Sequence, residues 1–403
     1  MACSAALATG LTSVRGNLLG QSYDTGYDWE SIRVQLVIPE KGNRYLKSVG
    51  IGPEGLGPTL NEKGIGKVGF SRPTVQFPPY PGTPEYLSED ELMRISNSTR
   101  EYVDLWSENM TRYGIPTTEG GSIGRMLVDI KEGYLLEGAN WIYGDPANHA
   151  IHGPMTDQVF ACANFFVNTQ LKKRAEWGIG AGYTRAKRVW ELLIDRQYDC
   201  SINEPGMSNV NPRGLPHFGG GITLPYFMSI LRDHGDLSPD EGRMSTYMPE
   251  DRGKESICCH GVVFHTKCAK ICNPVENHTN LFSCLWMTFG QPCLSPFLPI
   301  YIGVNSVPDA LSAKANPVSR VFEDLRLALE YHPENRDKVK HYWTVFELQT
   351  VEESYAVEGE ATKLAGDGNL TAARALLTEF VNKKCTEALS KGKQWVEKLQ
   401  SLP

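Results

Sequence analysis

The chain has 403 residues, of which 41% are hydrophobic and 22% charged, and its formal net charge is -7. This composition is ordinary for a globular protein with a large core. Lysine and arginine are scattered along the chain, which argues against a nucleic-acid partner. No apolar run reaches the roughly 18 residues that a membrane helix needs. We therefore expect a protein that acts on neither nucleic acid nor membrane.

The first half of the chain favours short strands around one long helix. Residues 32–38 alternate between apolar and polar side chains and end in a Pro-Glu-Lys-Gly-Asn turn, so residues 44–50 are predicted to be their hairpin partner. Ser88 and Glu91 form a capping pattern that opens a helix, which we expect to continue to about Tyr113. Further strands are predicted at 122–130, 133–139 and 157–165.

The second half is predicted to be mainly helical. A helix spans Thr184 to Tyr198, and another is capped by Thr223, has Pro225 in its first turn and runs to about His234. The remaining predictions are an open glycine-rich loop at 206–221, strands at 256–264 and 280–289, helices opening at 317 and 335, and a last helix at 370–399. This order favours an α+β layered fold over repeated βαβ units. We expect a core over residues 1–315, with a helical part over 316–403 packed on the same domain.

Cys3 is the first candidate for chemistry. Gly20 to Asp24 closes the first predicted hairpin, so Asp24 is expected to return beside the start of the chain. A thiolate is a strong nucleophile, and a nearby amine can act as its base. If Cys3 became the true N-terminus, its own α-amino group, with a pKa near 8, could accept the thiol proton.

Three segments in order carry a resemblance to a known family. They are Cys3 to Ala5, then Gly-Gln-Ser-Tyr-Asp at 20–24, then Gly-Pro-Thr-Leu-Asn-Glu-Lys-Gly at 57–64. This opening resembles that of the N-terminal-nucleophile cysteine hydrolases, a group that includes choloylglycine hydrolase, penicillin V acylase and isopenicillin N acyltransferase. The segment 157–166 resembles the one that ends in the oxyanion asparagine of that family. Later segments at 230–234, 256–260 and 286–293 are similar to the dipeptidase A/secernin branch.

The resemblance implies a four-layer αββα sandwich with a helical C-terminal elaboration. It also implies amide cleavage through a thioester on the cysteine. Cys3 would be the nucleophile and, through its freed amine, the base. Asp24 would hold that amine, and Asn164 would donate its side-chain N–H to the oxyanion. Gln21 and Asn61 would bind substrate or support the site.

Two positions depart from the family pattern. Gln21 stands where the family usually has arginine, and Cys259 stands where another arginine is common. Glutamine donates hydrogen bonds but carries no charge. Either another arginine replaces the lost charge (the candidates are Arg15, Arg33, Arg72 and Arg252), or the substrate is less anionic, or activity is lost.

The start of the chain also needs processing. Removal of the initiator methionine would expose Ala2, so the Ala2–Cys3 bond must be cut, by the protein itself or by another protease. The residues before Cys3 lack the basic region of a secretory signal, which favours a cytoplasmic location. Ten cysteines in a chain of this length do not require a disulfide scaffold.

A zinc site is the competing interpretation of residues 258–272. His265, Cys268 and Cys272 could take part in a tetrahedral site. Their spacing matches no common paired array, however, and strand alternation would send Cys258 and Cys259 to opposite faces. Packing cysteines are favoured, and we assign neither a metal nor another cofactor.

The sequence therefore predicts an amide C–N hydrolase of acylase or dipeptidase type. Its substrate would be a small-molecule amide or a short peptide. Acyl transfer to an acceptor other than water is the close alternative, and a non-catalytic binding protein on the same fold is the rival. The sequence leaves a homo-oligomer open.

Overall fold

The computed structural model describes residues 2–12, 16–25, 32–50, 57–71, 85–113, 122–139, 148–174, 182–194, 221–235, 256–260 and 265–402. Most of the predicted glycine-rich loop therefore lies outside the described residues. Within them the chain is α+β, with two sheets whose named strands all pair antiparallel.

The first sheet has six strands and carries Cys3. Its spatial order is β10-β1-β2-β11-β12-β13, so the N-terminal strand lies inside the sheet, between its hairpin partner β2 and β10. The bounds are β1 Ala2–Thr9, β2 Leu18–Thr25, β10 Gln158–Cys162, β11 His265–Asn273, β12 Cys284–Met287 and β13 Leu298–Tyr301.

The second sheet has seven strands in chain order, β3 to β9. The predicted hairpin is confirmed, because β3 and β4 pair with Arg33 opposite Val49. The bounds are β3 Arg33–Val37, β4 Tyr45–Val49, β5 Gly57–Asn61, β6 Gly66–Ser71, β7 Ser122–Val128, β8 Gly133–Ala139 and β9 His149–Met155.

Ten helices complete the described part of the chain. The three C-terminal ones begin where the sequence predicted them, and Asn316 caps the first through its side chain. The bounds are α1 Glu89–Ile95, α2 Thr99–Tyr113, α3 Thr169–Arg174, α4 Tyr183–Ile194, α5 Leu224–Ile230, α6 Thr279–Phe282, α7 Asp309–Ser312, α8 Pro317–Tyr331, α9 Arg336–Gly366 and α10 Leu370–Gln400. None of these helices combines the length and apolarity needed to cross a bilayer.

The two faces of the first sheet have different neighbours. On one face, Gln21 donates to the carbonyl of Gly69 in β6 and Cys272 lies 3.4 Å from the carbonyl of Thr59 in β5, so this face meets the second sheet. On the other face lie α4 and α5. A Cβ on Gly20 would lie 2.6 Å from the ring of Phe227, so only glycine allows α5 to approach β2 this closely. Cys3 is opposite Tyr23, two residues from Gln21, so its side chain lies on the face that meets the second sheet.

The helix predicted over 88–113 is in fact two helices. The chain breaks at Ser96, whose backbone is extended, and resumes at Thr99. Side chains distant in sequence stabilise the break: Asn43 and Asn61 both donate to the carbonyl of Ser96. Asp129 accepts from the backbone and the hydroxyl of Thr99. Local propensity could not predict these tertiary caps.

Three other boundaries differ from the predictions. Helix α5 ends at Ile230, before His234, because Arg232 and Asp233 make tight turns toward Ser229 and Ile230. The segment predicted as a strand over 280–289 begins with helix α6 and becomes strand only at Cys284. Of the strand predicted over 256–264, only residues 256–260 are described, and they form a single bridge at His260.

The core continues through the C-terminal helices. Buried side chains of the first sheet, of α4 and α5 and of α8 to α10 belong to one hydrophobic cluster. A second cluster lies between the second sheet and helices α1 and α2. The division near residue 315 stays a prediction.

Candidate active site

The β1–β2 hairpin brings Asp24 back to the start of the chain, as the sequence predicted. Ala2 lies opposite Asp24 and Cys3 lies opposite Tyr23. Because side chains alternate along a strand, Cys3 faces the second sheet while Ser4 and Asp24 face helix α4. The nucleophile candidate and the carboxylate are therefore adjacent in register but lie on opposite faces of the sheet.

Arg185 of α4 connects the residues around Cys3. Its Nη1 lies 3.1 Å from Oγ of Ser4 and 3.3 Å from Oδ2 of Asp24, and its Nη2 donates to Oδ1 of Asn164 at 2.9 Å. The same Oδ1 accepts the backbone N–H of Cys3 at 2.8 Å. One buried guanidinium thus joins Asp24 and Asn164, and Asn164 holds the nitrogen of Cys3.

The expected role of Asp24, to hold the freed amine of Cys3, stays a prediction. The single backbone N–H of Cys3 donates to Asn164, and Asp24 is linked to it through Arg185. The other oxygen of Asp24 accepts the hydroxyl of Thr266 at 2.6 Å. A free α-ammonium would have three N–H donors, so Asp24 remains a second acceptor for a processed Cys3.

Sequence reasoning missed Arg185. Arg185 lies four residues before the apolar Val189 in the predicted helix, so the two share one face, and both are buried in the structure. A charged residue within an apolar stripe signals a buried ion pair. That signal was present in the sequence.

We expect replacement of Arg185 by methionine to destabilise the fold. The Arg185–Asp24 pair is fully buried, so the variant leaves an uncompensated carboxylate in the interior. Breaking such a pair typically costs about 3–5 kcal/mol. The control is Lys187→Met on the same helix, whose pair with Glu191 is partly exposed at 3.9 Å and contributes about 0–1 kcal/mol. Denaturant unfolding measures both, and an equal effect of the two variants would contradict the assignment.

The thiol of Cys3 is protonated at neutral pH in this form of the chain. Complete burial, with the charge of Asp24 adding to it, raises the pKa of Cys3 to about 11. A thiol with so high a pKa is a poor nucleophile. Reactivity therefore requires a change at Cys3, and a free α-amine beside the thiol would provide a base.

Lys270 lies on the same face as Cys3, two strands away. It pairs in register with Gln21, and Cys268, two residues earlier, pairs with Tyr23, which is opposite Cys3. Its side chain is fully buried, and its Nζ has no hydrogen-bond partner within the described part of the chain. Burial, opposed in part by Cys272, lowers the pKa of Lys270 to about 8, and the thiol of Cys3 is among the groups that interact with its charge.

Gln21 adds a polar group beside Lys270. Its Nε2 donates to Gly69, while its Oε1 is buried and has no hydrogen-bond partner among the described residues. Lys270 and Gln21 thus lie on the face of the sheet that carries Cys3. Of the arginines proposed from sequence, Arg33 lies on β3 of the second sheet, and Arg15, Arg72 and Arg252 lie outside the described residues.

Asn61, which was expected to bind substrate or support the site, makes structural contacts in the described part of the chain, and its role in the site stays a prediction. Its Nδ2 donates to the carbonyls of Met93 and Ser96 at 2.9 and 3.1 Å. Its Oδ1 accepts from the backbones of Lys63 and Ile65 at 3.0 and 2.9 Å. The side chain is thus engaged in joining the β5–β6 turn to the end of α1.

Asn61→Ala should therefore change stability and leave catalysis intact. The substitution leaves buried backbone groups without partners, and each such group costs about 1–3 kcal/mol. We expect a lower denaturation midpoint with unchanged kcat/KM under conditions where the variant is folded. A large fall in kcat/KM of the folded variant would return Asn61 to the site.

The zinc site considered at residues 265–272 does not form. Cys268 and Cys272 lie on one face of β11, four residues apart, which is about 13 Å along a strand. One ion cannot bind both thiols at that separation. The thiol of Cys272 instead contacts the carbonyl of Thr59 in the second sheet.

Comparison with known proteins gives only a distant likeness. No protein-family profile matches the chain, and no curated protein matches it. Among solved structures, two variants of conjugated bile acid hydrolase from Clostridium perfringens are similar, both at 13% identity. One has a TM-score of 0.41 and covers 75% of this chain and 92% of its own; the other has 0.44, 74% and 92%. At these values the likeness does not assign a function, which has to come from the residues around Cys3.

Proposed function

We propose that this protein is a cysteine amide hydrolase in which Cys3, released as the N-terminal residue, is the nucleophile. The observation that supports this most strongly is the contact between the nitrogen of Cys3 and Asn164, which Arg185 links to Asp24. Burying several hydrogen-bonded polar groups around the backbone nitrogen of Cys3 costs folding free energy, and such clusters are typical of functional sites. Orienting an α-amine beside its own thiol is such a use.

The proposed reaction begins with proton transfer from the thiol of Cys3 to its own α-amine. The thiolate attacks the carbonyl carbon of the amide, and the oxyanion that forms accepts a hydrogen bond from Nδ2 of Asn164. The C–N bond breaks as the α-ammonium returns the proton to the leaving amine, which leaves a thioester on Cys3. Water, deprotonated by the same α-amine, then attacks the thioester and releases the acid and the thiol.

Two contacts of Asn164 support this role. Its Oδ1 accepts two N–H groups, from Cys3 and Arg185, which fixes the plane of the carboxamide. The amine end of that carboxamide can only donate. A donor held rigidly by its other end costs little reorganisation when the oxyanion forms.

Lys270 is proposed to stabilise the thiolate. Its positive charge lies on the face of the sheet that carries Cys3, and the two side chains interact electrostatically. A positive charge favours the thiolate and so lowers the pKa of a thiol. Together with Gln21, Lys270 would supply polar groups to a substrate bound at Cys3.

The substrate class is a further part of the proposal. We propose a small-molecule amide or a short peptide, with acyl transfer to another acceptor as the variant reaction. A four-layer αββα arrangement of the two sheets and their helices is proposed with it. A non-catalytic binding protein remains the rival, because Gln21 and Cys259 are neutral where the resembling family has arginines.

Trapping of the thioester tests this proposal. The processed protein is mixed with a panel of N-acyl amino acids and dipeptides, quenched in acid and measured by intact mass. We expect an increase equal to the acyl group, located by peptide mapping at Cys3 and absent in Cys3→Ala. An adduct on another cysteine, or turnover by Cys3→Ala, would contradict the proposal. A folded, processed protein without adduct or turnover on the panel would favour the binding protein.

A further inference from the structure

Two histidines and two cysteines converge at a place separate from Cys3. They are His234 just beyond α5, Cys258 and His260 in the segment 256–260, and Cys293 between β12 and β13. One ligating atom from each of the four lies within 4.8 Å of all the others. Both cysteines are buried and both histidines are partly buried. The four ligands come from three separate segments of the chain.

We propose that this cluster binds one Zn²⁺ ion in a closed Cys₂His₂ site. Zinc takes tetrahedral sites with Zn–N near 2.0–2.1 Å and Zn–S near 2.3 Å, so the ligand atoms should lie about 3.3 Å apart for N and N, and about 3.6 Å for N and S. Nε2 of His234 lies 3.1 Å from Nε2 of His260. The Nε2 of His260 lies 3.7 Å from Sγ of Cys258 and 3.2 Å from Sγ of Cys293. These separations are close to the edges of that tetrahedron.

Hydrogen bonding alone does not account for the arrangement. Nε2 of His260 faces His234, Cys258 and Cys293 at the same time. A neutral imidazole nitrogen is either one donor or one acceptor, so it can satisfy only one of three such neighbours. A metal ion satisfies all four ligand atoms together, and two thiolates with two imidazoles in tetrahedral geometry favour zinc over harder ions.

A positive charge beside the cluster would stabilise Cys258 and Cys293 as thiolates. The guanidinium of Arg232 interacts electrostatically with both Cys258 and Cys293, and it is fixed by two bonds to Glu347 at 2.8 and 2.7 Å. The backbone of Cys258 is held in turn by the carbonyl of Asp233 at 3.1 Å. Neighbouring contacts of this kind orient the ligands of a metal site.

The ion would have a structural role. Four protein ligands leave no open position for water or substrate, which is the mark of structural zinc. The site would join the end of α5 to the loop before β13. It also fixes Cys258, whose neighbour Cys259 bonds through its backbone to Thr266, the residue that donates to Asp24. The ion would therefore stabilise the segment 256–260, which is connected to the carboxylate of Asp24 through Thr266.

Metal analysis of the full-length protein tests the site. The protein is purified under reducing conditions without added chelator, and its zinc is measured by inductively coupled plasma mass spectrometry. We expect one zinc per chain, lost in Cys293→Ser and in His260→Ala and retained in the control Cys385→Ser, whose buried cysteine lies on α10. Cobalt substitution should give the absorption of tetrahedral thiolate-bound Co²⁺.

Three results would overturn the proposal. They are a folded wild-type chain without bound metal, a Cys258–Cys293 disulfide in freshly purified protein, and zinc retained in Cys293→Ser. If Cys293→Ser does not fold, Co²⁺ spectra of the wild type still decide the matter, because thiolate-to-cobalt charge transfer requires cysteine ligands. Zinc content is measured without any substrate, so it is independent of the proposed amidase activity.

Discussion

Replacement of Cys3 by alanine is expected to abolish amide hydrolysis while the protein stays folded. The variant removes both the thiol that forms the thioester and its partnership with the α-amine. Loss of the nucleophile from other covalent hydrolases lowers kcat by about 10⁶-fold, and we expect a fall of at least about 10⁴-fold here. The measurement is kcat/KM on whichever amide the wild type hydrolyses, with folding checked by circular dichroism.

A second buried cysteine provides the control for this result. Cys385→Ala removes a buried thiol from α10 and should leave kcat/KM unchanged. Cys3→Ser keeps a weaker nucleophile and should retain a small residual rate. Full activity in folded Cys3→Ala, or equal losses in the Cys3 and Cys385 variants, would remove Cys3 from the mechanism.

Lys270→Met is expected to make the protein more stable and less active. Burial lowers the pKa of Lys270 from 10.5 to about 8, so the folded state disfavours its charge. Below pH 8 the lysine is protonated in both the folded and the unfolded state, and its burial costs up to about 3 kcal/mol. As the pH rises from 8 to 10.5 this cost disappears, because the folded protein releases the proton first. Methionine fills the same space without charge, so the gain in stability should be largest at neutral pH.

The loss of activity should come from the thiolate. Without the charge of Lys270, the pKa of the processed Cys3 should rise, and kcat/KM at neutral pH should fall. The pH dependence of Cys3 alkylation measures that shift directly. An unchanged alkylation profile would show that Lys270 does not act on the thiol.

Lys67→Met is the matched control for Lys270→Met. Lys67 is also buried, but it forms an ion pair with Glu89, which also pairs with Arg125. Its loss removes a partner of a partly buried carboxylate and should lower the free energy of unfolding. Opposite signs for the two lysines would show that pairing, and not burial alone, decides their effect on stability.

Local sequence patterns were sufficient to predict two hairpins. The alternation in β3 and the turn after it predicted the β3–β4 pair, and the segment that closes the first predicted hairpin placed Asp24 beside Cys3. Both predictions depend on patterns that extend over about twenty residues or fewer. The C-terminal helices were predicted correctly for the same reason.

Strand β11 shows where this reasoning stops. Its residues, His265 to Asn273, include two lysines, which are rare in buried strands, so no strand was predicted. Lys267 and Lys270 are nevertheless only 2% and 1% exposed, because the strand lies between β2 and β12 inside the sheet. A single residue gives no sign of which distant strand will cover it. The sequence analysis looked for a further positive charge only among arginines and so did not consider Lys270.

The polar clusters were hidden for a related reason. Arg185 reaches Asn164 and Asp24 across 21 and 161 residues of chain, and His234, Cys258 and Cys293 are separated by 24 and 35 residues. Spacing rules detect ligands that share one motif. Groups that only the folded chain brings together share no such motif, and Arg185 was marked only by its place on an apolar face of a helix.

The most direct test of Cys3 as nucleophile is N-terminal sequencing with intact mass, before and after a thiol-reactive probe at neutral pH, on wild type and Cys3→Ala. We predict that the active protein begins at Cys3 and takes one label there, while the unprocessed chain, whose Cys3 has a pKa of about 11, reacts slowly. An active protein that still carries Ala2 before Cys3, or a label that persists in Cys3→Ala, would contradict it.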